Sequence, residues 1–160
     1  MKRKGFTLLE LTIVLLIIGL SVSLVAPSFS RILNTMELTG AAKRVSAILR
    51  YGRSEAVNRG QVYQILFDPH LGQVRVQPIE PMEGKEEERK TLKKTYGLPG
   101  GIRIKEVETD LPQYPSELPV IEFYPNGGSN GGSILLDSQQ SKGYKIKVDF
   151  LTGSVGIEKI

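Results

Sequence analysis

From Phe6 to Phe29 the chain reads FTLLELTIVLLIIGLSVSLVAPSF, apolar except for small hydroxyl side chains and one acid, Glu10. As a helix rising about 1.5 Å per residue, this run spans roughly 36 Å, enough to cross a hydrocarbon core. Lys2, Arg3 and Lys4 stand directly in front of it. Three cations there hold the start of the chain in the cytoplasm, so the residues beyond the helix face the other side. The 160 residues in all leave room for one head domain beside such an anchor, and not for two independent cores.

A basic start and an apolar core also describe an ordinary secretory signal peptide, and Ala26-Pro27-Ser28 would pass as a small-x-small cleavage site. Glu10 argues against that reading. An acid in an apolar run costs roughly 2.5–3.5 kcal/mol near the bilayer centre, less toward the interface. A simple signal or anchor gains nothing from carrying it.

At these residues the chain resembles the class III signal of type IV pilins and type II secretion pseudopilins: a basic leader, Gly5, Phe6, then Thr7-Leu8-Leu9-Glu10. The resemblance implies that a prepilin peptidase cuts between Gly5 and Phe6 and that the new Phe6 amine is methylated. It also implies that Glu10 pairs with a terminal amine during assembly, and that Gly19 and Pro27 are the helix-softening positions. The physical logic is consistent with this. An ammonium at Phe6 and a carboxylate at Glu10 offset each other's desolvation, within one subunit or between neighbours, and removing one leaves a buried unpaired charge. Glycine before the cut gives a peptidase an uncluttered backbone. The expected division is a leader at 1–5, a membrane-inserting helix at 6–29, and a helix continuation with a β-rich head at 30–160.

Charge and composition narrow the function of the head. The formal charge of +4 falls to +1 once the three leader cations are set aside, and from Ile104 onward there are five Lys, no Arg and eight acids. A polyanion-binding surface in that half is disfavoured. Cysteine and tryptophan are absent and His70 is the only histidine. No thiolate nucleophile, disulfide or sulfur-ligated metal is available, and acid–base or zinc chemistry has almost no residues to use. We therefore expect no catalytic residues, no metal and no cofactor.

Beyond Pro27, expected to interrupt or soften the helix, Leu38, Ala41, Ala42, Val45, Ile48, Leu49, Gly52 and Ala56 recur at helical spacing, with Gly60 as the stop. Lys43, Arg44, Arg50, Arg53 and Arg59 fall mostly off that stripe and read as a solvated or subunit-facing side. Alternation then takes over: Tyr63, Ile65 and Phe67, a turn at Asp68 to Gly72 containing His70, then Val74 and Val76. Further strands are expected at Ile102 to Ile104, Val120 to Tyr124, Ile134 to Leu136 and Tyr144 to Phe150 with Phe150 inward. Val155 and Ile157 close a terminal hairpin. Glu80 to Lys94, Thr109 to Pro119 and Pro125 to Gly132 read as loops, the last a flexible glycine-rich connection that lacks the Lys-Ser/Thr ending of a phosphate loop.

A second resemblance lies in Glu122-Phe123-Tyr124-Pro125-Asn126-Gly127-Gly128, Ile134-Leu135-Leu136-Asp137 and Val148 to Val155. These segments are similar to the C-terminal part of the H-type minor pseudopilin family, which includes minor pilins of type IV pili. This implies an α+β fold, with a long N-terminal helix packed on a small antiparallel β-sandwich-like head. It also implies a structural role at or near the tip of a type II secretion pseudopilus. The implied partners are other pseudopilins, the prepilin peptidase and the inner-membrane assembly platform, with the head in the periplasm. The rival reading is a minor type IV pilin serving DNA uptake or pilus assembly. That branch uses C-terminal arginines, and residues 152–160 contain none.

Overall fold

The computed structural model describes residues 6–79, 93–138 and 141–160, and for 23–34, 141 and 142 the backbone alone. The leader with Gly5 lies outside these residues, as does the charged stretch from Glu80 to residue 92.

One helix, α1, runs over Leu8–Arg59. It passes through Pro27 as one helix, as the periodicity resuming beyond that residue suggested. Proline removes one donor from the ladder, and in a helix of 52 residues that loss is local. The stop falls at Gly60, left-handed at φ 65° and returning its N–H to the Ala56 carbonyl, a conformation glycine adopts without strain. Leu38, Ala41, Ala42, Val45, Ile48, Leu49 and Ala56 are buried, so the helical stripe read from the sequence is the core-facing side. Gly52 sits on it too. A Cβ there would lie 2.6 Å from Ile65 Cδ1, and its absence lets α1 approach the sheet closely.

The eight strands are β1 (Tyr63–Asp68), β2 (Gln73–Pro78), β3 (Lys94–Gly97), β4 (Ile102–Thr109), β5 (Val120–Phe123), β6 (Gly132–Ser138), β7 (Ser141–Val148) and β8 (Val155–Lys159). They form two antiparallel sheets, ordered β3-β2-β1-β5 and β4-β6-β7-β8. The helix packs on both, and the core is the shared interior: Ile65, Phe67, Val74, Val76, Ile121 and Phe123 from one sheet, Ile104, Ile134, Leu136, Ile146 and Val148 from the other. In β1 the residues between the inward ones, Gln64 and Leu66, are buried as well.

One strand was not expected from the sequence, and one expectation fails. Strand β3 falls where the loop expected at Glu80 to Lys94 ends. Its residues are mostly exposed at a sheet edge, so they carry no apolar alternation that a pattern could show. Phe150, expected inward, is 64% exposed, because β7 ends at Val148 and the chain turns at Asp149, whose Oδ1 accepts from the Thr152 backbone N–H (2.8 Å) and hydroxyl (2.7 Å).

The strand directions define two ends of the head along α1. At the distal end lie Gly60, the 124–131 turn and the 149–154 turn. At the base, where α1 enters, lie the 68–72 turn, the chain end at Ile160, and a contact of Thr39 Oγ1 with the Tyr144 hydroxyl at 3.0 Å.

Candidate functional site

Thr7 caps α1, with extended φ/ψ of −84° and 148° and its Oγ1 accepting from the Glu10 backbone N–H at 3.2 Å. Thr-x-x-Glu at a helix start is the capping-box spacing, and an acid in the first turn suits the positive end of the helix dipole. The bond uses the Glu10 backbone N–H, so the carboxylate's own local contribution is its place at the positive end of the helix. Phe6 (75% exposed) and Glu10 occupy the same exposed helix start.

From Leu8 to Val22 the large apolar side chains are exposed all around the helix. A helix apolar on every side requires lipid or other helices around it. The polar exceptions turn inward: Thr12 Oγ1 donates to the Leu9 carbonyl and Ser21 Oγ to that of Ile17, both at 2.8 Å, which satisfies hydroxyls in apolar surroundings. Gly19 meets nothing within 4 Å, so no packing inside this chain demands a glycine there. The Pro27 side chain lies outside the described residues. Among the described residues no helix is long and apolar enough to cross a membrane, and the expected span of 6–29 has its side chains described only to Val22.

In the head, the notable polar feature is Glu122, 0% exposed. Its Oε1 accepts from Gln64 Nε2 (3.1 Å) and the Tyr114 N–H (3.1 Å), and its Oε2 from the Gln113 N–H (2.7 Å) and the Tyr124 hydroxyl (3.3 Å). Burial, with this carboxylate beside it, holds the Tyr124 hydroxyl above the usual phenol range, so it remains a donor. Four donors to one carboxylate is how a buried charge is made tolerable. The arrangement pins the proline-rich segment 110–119 onto the outer face of the first sheet. Asn130 completes the pin, its Oδ1 accepting from the Glu122 N–H and its Nδ2 donating to the carbonyls of Asp110 and Val120.

The glycine-rich turn expected to be a flexible connection is instead built in. Gly127, Gly128, Ser129, Asn130 and Gly131 are buried, Asn126 Oδ1 accepts from the Gly128 N–H, and Arg53 Nε donates to the Gly127 carbonyl at 3.0 Å. Gly153, at φ 61°, presses against that same carbonyl and the Arg53 side chain. Arg50 Nη2 donates to the Val155 carbonyl at 3.0 Å. These two arginines, read from the sequence as a solvated or subunit-facing side, bind backbone carbonyls of this chain and hold the distal turn and β8 to α1. The sequence signal that could have found them is the pairing of off-stripe arginines with glycine-rich turns whose carbonyls are open to a donor.

On the outer face of the second sheet an open cleft of about 660 Å³ is lined by Glu108, Lys145, Lys147, Asp149 and Phe150 among others. Hydrogen bonds from Ser133 and Lys145 hold the Glu108 carboxyl below its usual range, and Lys147 pairs with Glu158. Both of the cleft's lysines thus have acidic partners, Lys145 with Glu108 and Lys147 with Glu158. His70 is exposed in the 68–72 turn. Among the described residues no cluster of three His, Cys, Asp or Glu could hold a metal.

Comparison with known proteins gives two family matches, to "Type II transport protein GspH" over residues 41–152 and to "Prokaryotic N-terminal methylation motif" over residues 1–26. A type II secretion system protein H from Xanthomonas campestris pv. campestris is 27% identical over 152 residues, spanning 95% of this chain and 81% of that protein. Among solved structures, the minor pseudopilin EpsH of the Vibrio cholerae type 2 secretion system superposes with a TM-score of 0.57 at 11% identity, covering 77% of this chain and 97% of that one. The type IV minor pilin FimU of Pseudomonas aeruginosa superposes with a TM-score of 0.55 at 16% identity, covering 78% and 90%. The fold is shared by both kinds of subunit, as the sequence resemblance implied.

Proposed function

Because the chain belongs to the Type II transport protein GspH family, whose match spans most of its head, we propose that it is a minor pseudopilin at or near the tip of a type II secretion pseudopilus. The carrying observation is the conjunction on one chain of an N-terminal methylation motif with this head. Its role is structural: α1 from Leu8 to Val22 offers a surface for lipid and then for neighbouring helices, and the head offers shape. In this reading residues 1–5 are a leader, 6–29 insert in the inner membrane, and 30–160 stand in the periplasm. The prepilin peptidase, the assembly platform and other pseudopilins are the partners.

The test is removal of the chain from a cell that both secretes folded enzymes and builds type IV pili. Secretion should stop, while DNA uptake and pilus function continue. The minor-pilin reading, which the likeness to FimU keeps in view, gains if uptake fails instead and the head binds DNA with sub-micromolar affinity at physiological salt. The acidic, arginine-free half after Ile104 leads us to expect only weak, salt-sensitive binding.

Leader removal has its own readout. Replacing Gly5 with valine should leave the leader attached while insertion proceeds. Mass spectrometry of the unaltered chain should find a methylated Phe6 at the N-terminus. A mature chain beginning near Phe29 would mean an ordinary signal peptide.

A further inference from the structure

Charges on the outer face of the second sheet are matched across the strands up to its distal margin. Arg103 faces Asp137, Lys145 faces Glu108 and Lys147 faces Glu158. One step further toward the distal end the matching stops. Asp110 and Asp149 are both exposed, line the same open cleft and form no ion pair among the described residues.

The strand register fixes how these two acids stand. Thr109, Gly132 and Val148 are partners across β4, β6 and β7. The next residues, Asp110 and Asp149, therefore leave the sheet on either side of Gly131, two strand spacings or about 10 Å apart. Val148 is buried, and successive side chains of a strand point to opposite faces, so Asp149 points outward. Gly131, at φ 75°, puts no side chain between the acids, and the space there stays open. Its wall is the exposed Phe150, whose Cβ lies 3.2 Å from where a Cβ at 131 would sit. The notch is also held in place. Asn130 Nδ2 donates to the Asp110 carbonyl, and Asp149 Oδ1 accepts from the Thr152 N–H and hydroxyl. Those Thr152 bonds keep the Asp149 carboxyl below its usual range and leave Oδ2 to face the cleft. Arg53, which also meets the 149–154 turn, is engaged by the Gly127 carbonyl from the α1 side.

We propose that this notch seats an arginine side chain of another polypeptide, its guanidinium lying on the Phe150 ring and donating to the Asp110 and Asp149 carboxylates. The occupant is cationic because the notch holds two negative charges that nothing in the head matches. An aromatic face beside them adds to the attraction for a cation. A planar guanidinium can stack on the ring while its five donors serve acids on two sides, which a compact ammonium cannot do. Leu151, exposed next to Phe150, offers apolar surface to the aliphatic stem. Nucleic acids and anionic lipid headgroups are repelled by the same two carboxylates. The inference uses only the head and does not depend on which filament the chain serves.

The test uses the detergent-solubilised full-length chain and a labelled, capped peptide with one arginine among glycines and serines, followed by fluorescence anisotropy at low salt with a chelator present. Saturable binding that weakens as salt rises is expected, since the carboxylates are exposed. Replacing the arginine by its neutral isostere citrulline should weaken binding about tenfold or more, and a lysine peptide should bind more weakly than the arginine one. Asp110→Asn and Phe150→Leu should each weaken it about threefold or more. The citrulline comparison is made on the unaltered chain, so it stands whether or not the variants fold. No saturable binding, a citrulline peptide that binds as tightly, or full affinity in either folded variant would overturn the proposal. A lysine peptide binding as tightly would overturn the assignment to arginine. So would displacement of the peptide by calcium in place of the chelator, since the carboxylates would then belong to a cation site.

Discussion

Glu122→Leu is expected to destabilise the head by about 3–5 kcal/mol, because it leaves several buried neutral donors without their acceptor. The variant keeps the apolar volume but strands Gln64 Nε2, the Gln113 and Tyr114 N–H groups and the Tyr124 hydroxyl, and each buried donor without a partner costs about 1–3 kcal/mol unless water reaches it. Relief would come by releasing segment 110–119. The melting transition, followed in the near-ultraviolet on the detergent-solubilised chain, should therefore drop by about 10 °C or more, and protease should cut near Tyr114 sooner than in the unaltered protein. Glu122→Gln keeps one acceptor and opposes one donor with another, so its loss should be smaller, about 1–3 kcal/mol. A Leu variant melting within about 2 °C of the parent would show that the carboxylate does not hold that segment.

The second large effect concerns assembly rather than folding. Since the Thr7 cap accepts from the Glu10 backbone N–H, Glu10→Gln keeps the helix start intact and removes only the charge. In low dielectric the attraction of a Phe6 ammonium for that charge is several-fold stronger than in water, and losing it leaves the ammonium unpaired. Membrane insertion should persist or improve while co-purification with partner pseudopilins falls by about tenfold or more, which is about 1.4 kcal/mol. Glu10→Leu, which keeps that cap but loses the polar side chain as well as the charge, should fall at least as far. Leader cleavage and membrane fractionation serve as controls. Wild-type co-assembly by both variants would overturn the charge-pair role of Glu10.

What could be read from residues was whatever a local period or a short motif encodes. The stripe from Leu38 to Ala56, the stop at Gly60, the β1–β2 hairpin around His70 and the last hairpin before Val155 all come from spacing, because burial on one face imposes a 3.6- or 2-residue repeat. The methylation motif and the head family were likewise legible, being carried by contiguous residues. Strand β3 was not legible, since an exposed edge strand needs no apolar alternation. Nor was the turn at 125–132, whose glycines read as freedom and are in fact packed beneath Arg53, Phe150 and Glu108. The roles of Arg50, Arg53 and Glu122 depend on carbonyls and amides brought from as far as 105 residues away. A side chain's charge is written in the sequence, but the partner it meets exists only once the chain has folded around it: four donors make the burial of Glu122 tolerable, and carbonyls of distant segments fix the exposed Arg50 and the half-buried Arg53.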